Sequence, residues 1–134
     1  MMLYGLDTNI LVRLLVNDDP QQRRAALEFA EGLGRDYSAF VSLLTIVELD
    51  WALRSQLGFG RQDTVRALGQ LLRSRGLIFE HHALVVKALR LVAEDNADLA
   101  DALIAARALE AGCICVKTFD KKAAARVPGM ELLA

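Results

Sequence analysis

Apolar and polar positions fall into short blocks along the chain. Residues 2–6 are an apolar run that stops at Asp7, and residues 9–16 follow with apolar side chains at helical spacing, so a strand and then a helix are predicted. Asp18-Asp19-Pro20 places a capping carboxylate ahead of a proline suited to a first helical turn. Ala25, Ala26, Leu27, Phe29 and Ala30 carry the apolar face of that second helix up to Gly32 and Gly34. Residues 39–42 read as a brief strand. Helical periodicity then runs over 43–57, stops at Gly58-Phe59-Gly60 and resumes over 61–75. A strand at 77–80, helices at 83–94 and 99–111, a break at Gly112, a β-rich run at 113–116, a short helix at 121–126 and a last strand at 131–133 complete the order.

Short apolar strands separated by helices favour a parallel sheet, because parallel neighbours need crossover connections and bury both sheet faces. The predicted class is α/β, and in such sheets ligands collect beyond the carboxyl ends of the strands. Composition narrows this further. With 134 residues, 54% hydrophobic and 25% charged, the chain has the size of one domain, 1–134, and enough apolar side chain to fold without assistance. A net charge of −1 provides no general polycation, so any contact with nucleic acid must use a local patch. The N-terminal stretch has no basic leader or cleavage site, and no apolar run approaches the roughly 18 residues of a membrane span, which points to a cytoplasmic protein. Cys113 and Cys115, at i and i+2 in a strand-like run, are expected to be buried free thiols.

The acids fall where chemistry is expected. Asp7 follows the first strand and Glu48 lies in the helix after the second. Asp98 and Asp101 open the helix before Cys113, and Asp120 follows the strand beside it. Asp98 and Asp101 are neighbours on one helix face, and their mutual repulsion would be relieved by a cation. Carboxylate oxygens are hard ligands suited to Mg²⁺ or Mn²⁺, which suggests metal-assisted phosphoryl transfer. Each acid also has a plainer reading. Asp7 and Asp120 are placed to cap helices, Thr45-Ile46-Val47-Glu48 fits a capping box, and Asp98 and Asp101 suit the positive end of a helix dipole. The full set, each acid embedded in apolar sequence, favours chemistry over capping alone.

Four segments, Leu6-Asp7-Thr8-Asn9-Ile10-Leu11, Thr45-Ile46-Val47-Glu48-Leu49, Ala97 through Ala106 and Thr118-Phe119-Asp120, closely resemble PIN-domain ribonucleases, and among these the VapC toxins of toxin-antitoxin pairs. The resemblance implies a PIN-like three-layer α/β/α fold with a central parallel sheet of four to five strands. It also implies a Mg²⁺ or Mn²⁺ site and endoribonuclease hydrolysis of RNA phosphodiesters. On it, Asp7, Glu48, Asp101 and Asp120 take the positions of the family's four acids, as catalytic groups and metal ligands, with Asp98 an additional ligand one turn before the third. Thr8, Asn9 and Thr118 take the small polar positions that orient carboxylates or bind metal-bound water. A small antitoxin protein and a homodimer are the partners it implies.

RNA also needs phosphate contacts. Residues 61–90 carry six basic side chains against two acids, and residues 117–126 carry four against one, so Arg54, Arg61, Lys117, Lys121 and Lys122 are candidates. Arg13 is placed to pair with an acid. Trp51, Tyr4, Tyr37 and the phenylalanines have rings able to stack on bases, but at 6% aromatic most are expected in the core. Trp51, three residues after Glu48, is expected in the core as well, with cover over the site or a dimer contact as the alternative. His81 and His82 point apart on either kind of element and read as structural.

Rival functions fare less well. A haloacid-dehalogenase-type phosphatase needs an aspartate two residues after the first, where Asn9 stands, and a receiver-like phosphoacceptor module needs paired acids after the first strand. A catalytically silent PIN-like subunit that binds RNA or protein is the remaining alternative, opposed only by the complete acid set.

Overall fold

The computed structural model describes residues 2–134, and the chain divides into two compact units, Met1–His82 and Ala83–Ala134. The first unit opens with β1 (Met2–Gly5), α1 (Thr8–Leu15) and α2 (Pro20–Glu31). It continues through β2 (Tyr37–Val41) and α3 (Leu43–Trp51), a π-helical segment (Ala52–Gln56), α4 (Arg61–Leu72) and β3 (Leu77–Phe79). Its strands pair in parallel in the order β1-β2-β3, with Tyr4 opposite Ala39 and Ala39 opposite Leu77. Leu11, Val41, Ile46, Leu49, Leu53 and Leu68, all fully buried, make the core beneath that sheet's crossover helices.

Local chemistry starts these helices where the acids and hydroxyls stand. Asp19 accepts from the Gln22 amide at 3.1 Å and Pro20 occupies the first turn of α2. The N-cap of α3 is Ser42, which accepts from the Thr45 amide at 3.1 Å, while Glu80 Oε1 accepts from the Leu43 amide at 2.8 Å. The expected capping box at Thr45 and Glu48 is therefore not formed, because the helix begins a turn earlier and Glu48 is left for another partner. The predicted helix over 43–57 widens at its end, where the Leu57 amide reaches back five residues to the Ala52 carbonyl at 3.1 Å.

The second unit contains α5 (His82–Asp95, opening at the unit boundary), α6 (Leu99–Glu110), β4 (Val116–Thr118), α7 (Lys121–Arg126) and β5 (Met130–Leu132). β4 and β5 pair in parallel, Val116 opposite Met130, across the α7 crossover. Ala97, Ala105, Ala123, Val127 and Met130 form its core, with Leu91 and Val116 packed against them. The chain's strands thus all pair in parallel, hydrogen-bonded as a set of three and a set of two.

The strand predicted at 113–116 starts at Val116 instead. Helix α6 ends in a Schellman motif, in which the Gly112 amide donates to Leu109 O at 3.1 Å and the Cys113 amide to Ala108 O at 3.0 Å. Gly112 takes the positive φ of +99° that this turn requires. The backbone of the first cysteine is thereby spent on closing a helix. Cys113 is exposed and Cys115 half-buried, both as free thiols, which corrects the expectation of burial. Among the described residues no helix is long and apolar enough to cross a membrane.

Candidate active site

In the first unit the β1 ladder ends when the Leu6 amide donates to Phe40 O at 3.1 Å, and the chain turns directly into α1. Asp7 sits at that turn in extended conformation, its Oδ1 accepting from the Thr8 amide at 2.7 Å. Thr8 is buried, and its Oγ1 donates to Glu48 Oε1 on α3. One threonine therefore touches both candidate site acids of this unit, binding Glu48 through its side chain and Asp7 through its amide. Both carboxylates face solvent, as does Asn9.

In the second unit Asp98 is the N-cap of α6 and accepts from the Asp101 amide at 3.1 Å. Asp120 is the N-cap of α7, its Oδ1 accepting from the Lys122 amide at 2.9 Å and the Ala123 amide at 3.1 Å. The Asp120 amide in turn donates to Thr118 Oγ1 at 3.0 Å. Asp101 lies between these two acids electrostatically. Burial, then the charges of Asp98 and of Asp120, push its carboxyl above the ordinary aspartate range. Three carboxylates thus share one field, and a positive charge placed there would relieve all of them.

The capping readings and the chemical readings consequently coexist: Asp7, Asp98 and Asp120 do cap helices, each leaving oxygen lone pairs for a further partner. Among the described residues no three acidic, imidazole or thiol groups stand together as a ready-made metal cage. The predicted ligands Asp7, Glu48, Asp98 and Asp120 are instead held one by one through amides and hydroxyls, while Asp101 gives its amide to Asp98. Their chemistry still fits a hard cation, since all are carboxylates and Asp101 sits in the field of Asp98 and Asp120.

The basic candidates separate into two kinds. Arg54 forks onto Asp50, with Nε to Oδ1 at 3.1 Å and Nη2 to Oδ2 at 2.8 Å, so its charge is largely compensated within the protein. Lys117 pairs with Glu131 at 3.3 Å on the surface, while Arg61, Lys121 and Lys122 are exposed. Arg13 binds Asp18 at 3.0 Å and Gln22 at 2.8 Å. Asp50, 4% exposed, escaped notice in the sequence because an acid within a helix reads as a solvated face; the arginine four residues on was its only signal.

Two aromatic expectations need correction. Trp51 is 53% exposed and Phe119 is 72% exposed, so neither belongs to the core. Phe79 is buried, and Tyr4, Phe29 and Tyr37 pack on one another with centroids 4.8–5.9 Å apart. His82 is structural, its Nε2 at 2.9 Å from Leu72 O, and His81 is exposed at the preceding turn.

A family model described as the PIN domain matches residues 4–129, a span that contains all five acids. No curated protein matches the chain.

Proposed function

Since the chain belongs to the PIN domain family, whose members are generally metal-dependent nucleases, we propose that it is a Mg²⁺- or Mn²⁺-dependent endoribonuclease serving as the toxin of a VapBC-type toxin-antitoxin pair. The proposal treats residues 1–134 as a single PIN domain. The observation that carries it is the placing of Asp98, Asp101 and Asp120 at the starts of α6 and α7 in one unit, with Asp101 set in the field of the other two acids. Structural carboxylates are ordinarily given neutral or cationic partners; a partly buried one set against two of its own kind suits a cation-binding role.

Asp7, Glu48, Asp101 and Asp120 are assigned as the catalytic and metal-holding acids, with Asp98 an additional ligand. When bound, the divalent ion supplies activation of water near neutral pH and neutralises charge building on the phosphate. The chain's own groups do the positioning. Thr8 holds Glu48 by its hydroxyl and Asp7 by its amide, Thr118 anchors the Asp120 backbone, and Asn9 offers an exposed amide near Asp7. The same acids receive the proton that the attacking water loses. Phosphate contacts are assigned to Arg61, Lys121 and Lys122, with smaller roles for Arg54 and Lys117 because each already serves a carboxylate. The toxin assignment rests on the motif resemblance, and it carries with it a small antitoxin protein that blocks the acids and a homodimeric toxin.

The test is incubation of pure protein with a panel of labelled RNAs in Mg²⁺, Mn²⁺ or EDTA. Internal cuts that require the divalent ion and vanish in Asp7→Asn support the nuclease. RNA binding without cutting under any of these conditions would instead favour a silent binding subunit.

A further inference from the structure

We propose that Cys113 and Cys115 form a reversible dithiol/disulfide site, open to modification by small-molecule disulfides. The inference stands apart from the nuclease reading. It begins with burial. Free cysteine behaves as a small hydrophobe and is among the residue types most often buried, yet Cys113 is exposed and Cys115 only half-buried. The core of the second unit is built instead from Ala97, Ala105, Ala123, Val127 and Met130. Packing therefore gives the two thiols no task in the core, and their chemistry is what remains.

The backbone holds the pair close. The Cys113 amide closes α6 by donating to Ala108 O at 3.0 Å, and three residues later the Val116 amide donates to Gly129 O at 2.7 Å as β4 begins. The segment is thus anchored at both ends, and its bend falls on Ile114, the residue between the thiols. Ile114 is 96% exposed, and the neighbours on either side of an outward-pointing residue share the opposite side of the chain. Fully extended, two residues cover about 6.4–6.8 Å, the outer edge of the roughly 4.4–6.8 Å between Cα atoms that a disulfide tolerates. A bend shortens that span into the range. Redox-active pairs commonly set an accessible attacking thiol beside a resolving one, and Cys113 and Cys115 divide in that way.

The step is thiol-disulfide exchange. The Cys113 thiolate attacks one sulfur of a disulfide RSSR and expels RS⁻, leaving a mixed disulfide. The Cys115 thiolate then attacks the Cys113 sulfur, expels the second RS⁻ and closes the ring. The protons lost by the two cysteines pass to the two departing thiolates, so the protein gives up two electrons and two protons and RSSR becomes two RSH. A short, exposed ring of this kind is labile and follows the thiol poise around it.

These are the two cysteines of the chain, so each product is assigned by mass. The full chain, reduced and freed of small thiols, is incubated in mixtures of glutathione and glutathione disulfide of increasing oxidation, quenched with a maleimide and weighed intact. The expected product is a single chain two hydrogens lighter than the reduced form, carrying no maleimide, and returned by excess glutathione to a form that takes two. Cys115→Ser should stop at the mixed disulfide with one glutathione on Cys113. Cys113→Ser should react about 10-fold more slowly, because its remaining thiol is half-buried. In urea the yield of the internal bond should fall, since the bend and its anchors no longer hold the thiols together. Wild type that accumulates glutathione adducts without the internal bond would overturn the proposal. So would a disulfide-linked pair of chains as the main product, thiols that stay free throughout the series, or an undiminished yield in urea.

Discussion

The two units treat their acids in different ways. In the first, the exposed Glu48 and Asp7 are each given a neutral donor from a single buried threonine, and the buried Asp50 is given a forked guanidinium. In the second, Asp101 is partly buried and faces the charges of Asp98 and Asp120, and all three influences raise its carboxyl. The first unit spends its polar contacts on geometry, and the second stores electrostatic tension that a cation would release. The contrast separates positioning from electrostatic tension within one set of residues, all of them carboxylates.

The sharpest way to break the contrast is to remove one acid from each side. Asp101→Asn and Asp7→Asn are each expected to lower RNA cleavage on the order of 10²–10³-fold, the range for losing one preorganised charge-stabilising group. Rates on a labelled RNA in saturating Mg²⁺ or Mn²⁺ measure this. Next comes the threonine. Thr8→Val keeps the buried shape but removes the hydroxyl that holds Glu48, and cleavage is expected to fall about 10- to 100-fold, as for outer-sphere partners of metal ligands. Thr8→Ser, which restores the donor, should recover most of the rate; failure to do so would show that packing and not the hydrogen bond mattered.

Stability should move in opposite directions in the two units. Arg54→Ala strands the buried Asp50 carboxylate without its guanidinium and is expected to cost about 1–3 kcal/mol in urea denaturation. Asp101→Asn should do the reverse. Its carboxyl in the folded state titrates above the ordinary value of 3.8, so its contribution to stability is fully present at acid pH and is lost as pH rises through the folded value. In EDTA at neutral pH the variant should therefore melt slightly higher than wild type, and the difference should close on acidification. A melting point for Asp101→Asn below wild type at neutral pH would remove the tension ascribed to the second unit.

Much of this was legible in the sequence, and the misses share a physical origin. Strand-helix alternation predicted the α/β class, and α7 begins and ends where its pattern said. The acids stood out because each follows or opens an element. Capping and catalysis, however, ask for the same residue at the same place, and Asp7, Asp98 and Asp120 perform the first without excluding the second. The capping box at Thr45 misled because apolar periodicity does not mark which of two hydroxyls starts a helix, and Ser42 wins by standing a turn earlier. The strand at Cys113 misled because β-prone side chains say nothing of a backbone already committed to ending α6. Trp51 misled because its large apolar ring favours the core over the alternative its spacing to Glu48 also offers, cover over the site or a dimer contact, while helical spacing puts it on the side of Glu48 and away from Ile46 and Leu49.

The central claim is that these carboxylates bind a divalent ion, with Asp101 the group most in need of it. Calorimetric titration of Mn²⁺ into metal-free wild type and Asp101→Asn tests it most directly. The account predicts saturable binding to the wild type, weakened at least about 10-fold in the variant. Equal affinity in the two proteins, or no binding to the wild type at all, would contradict it.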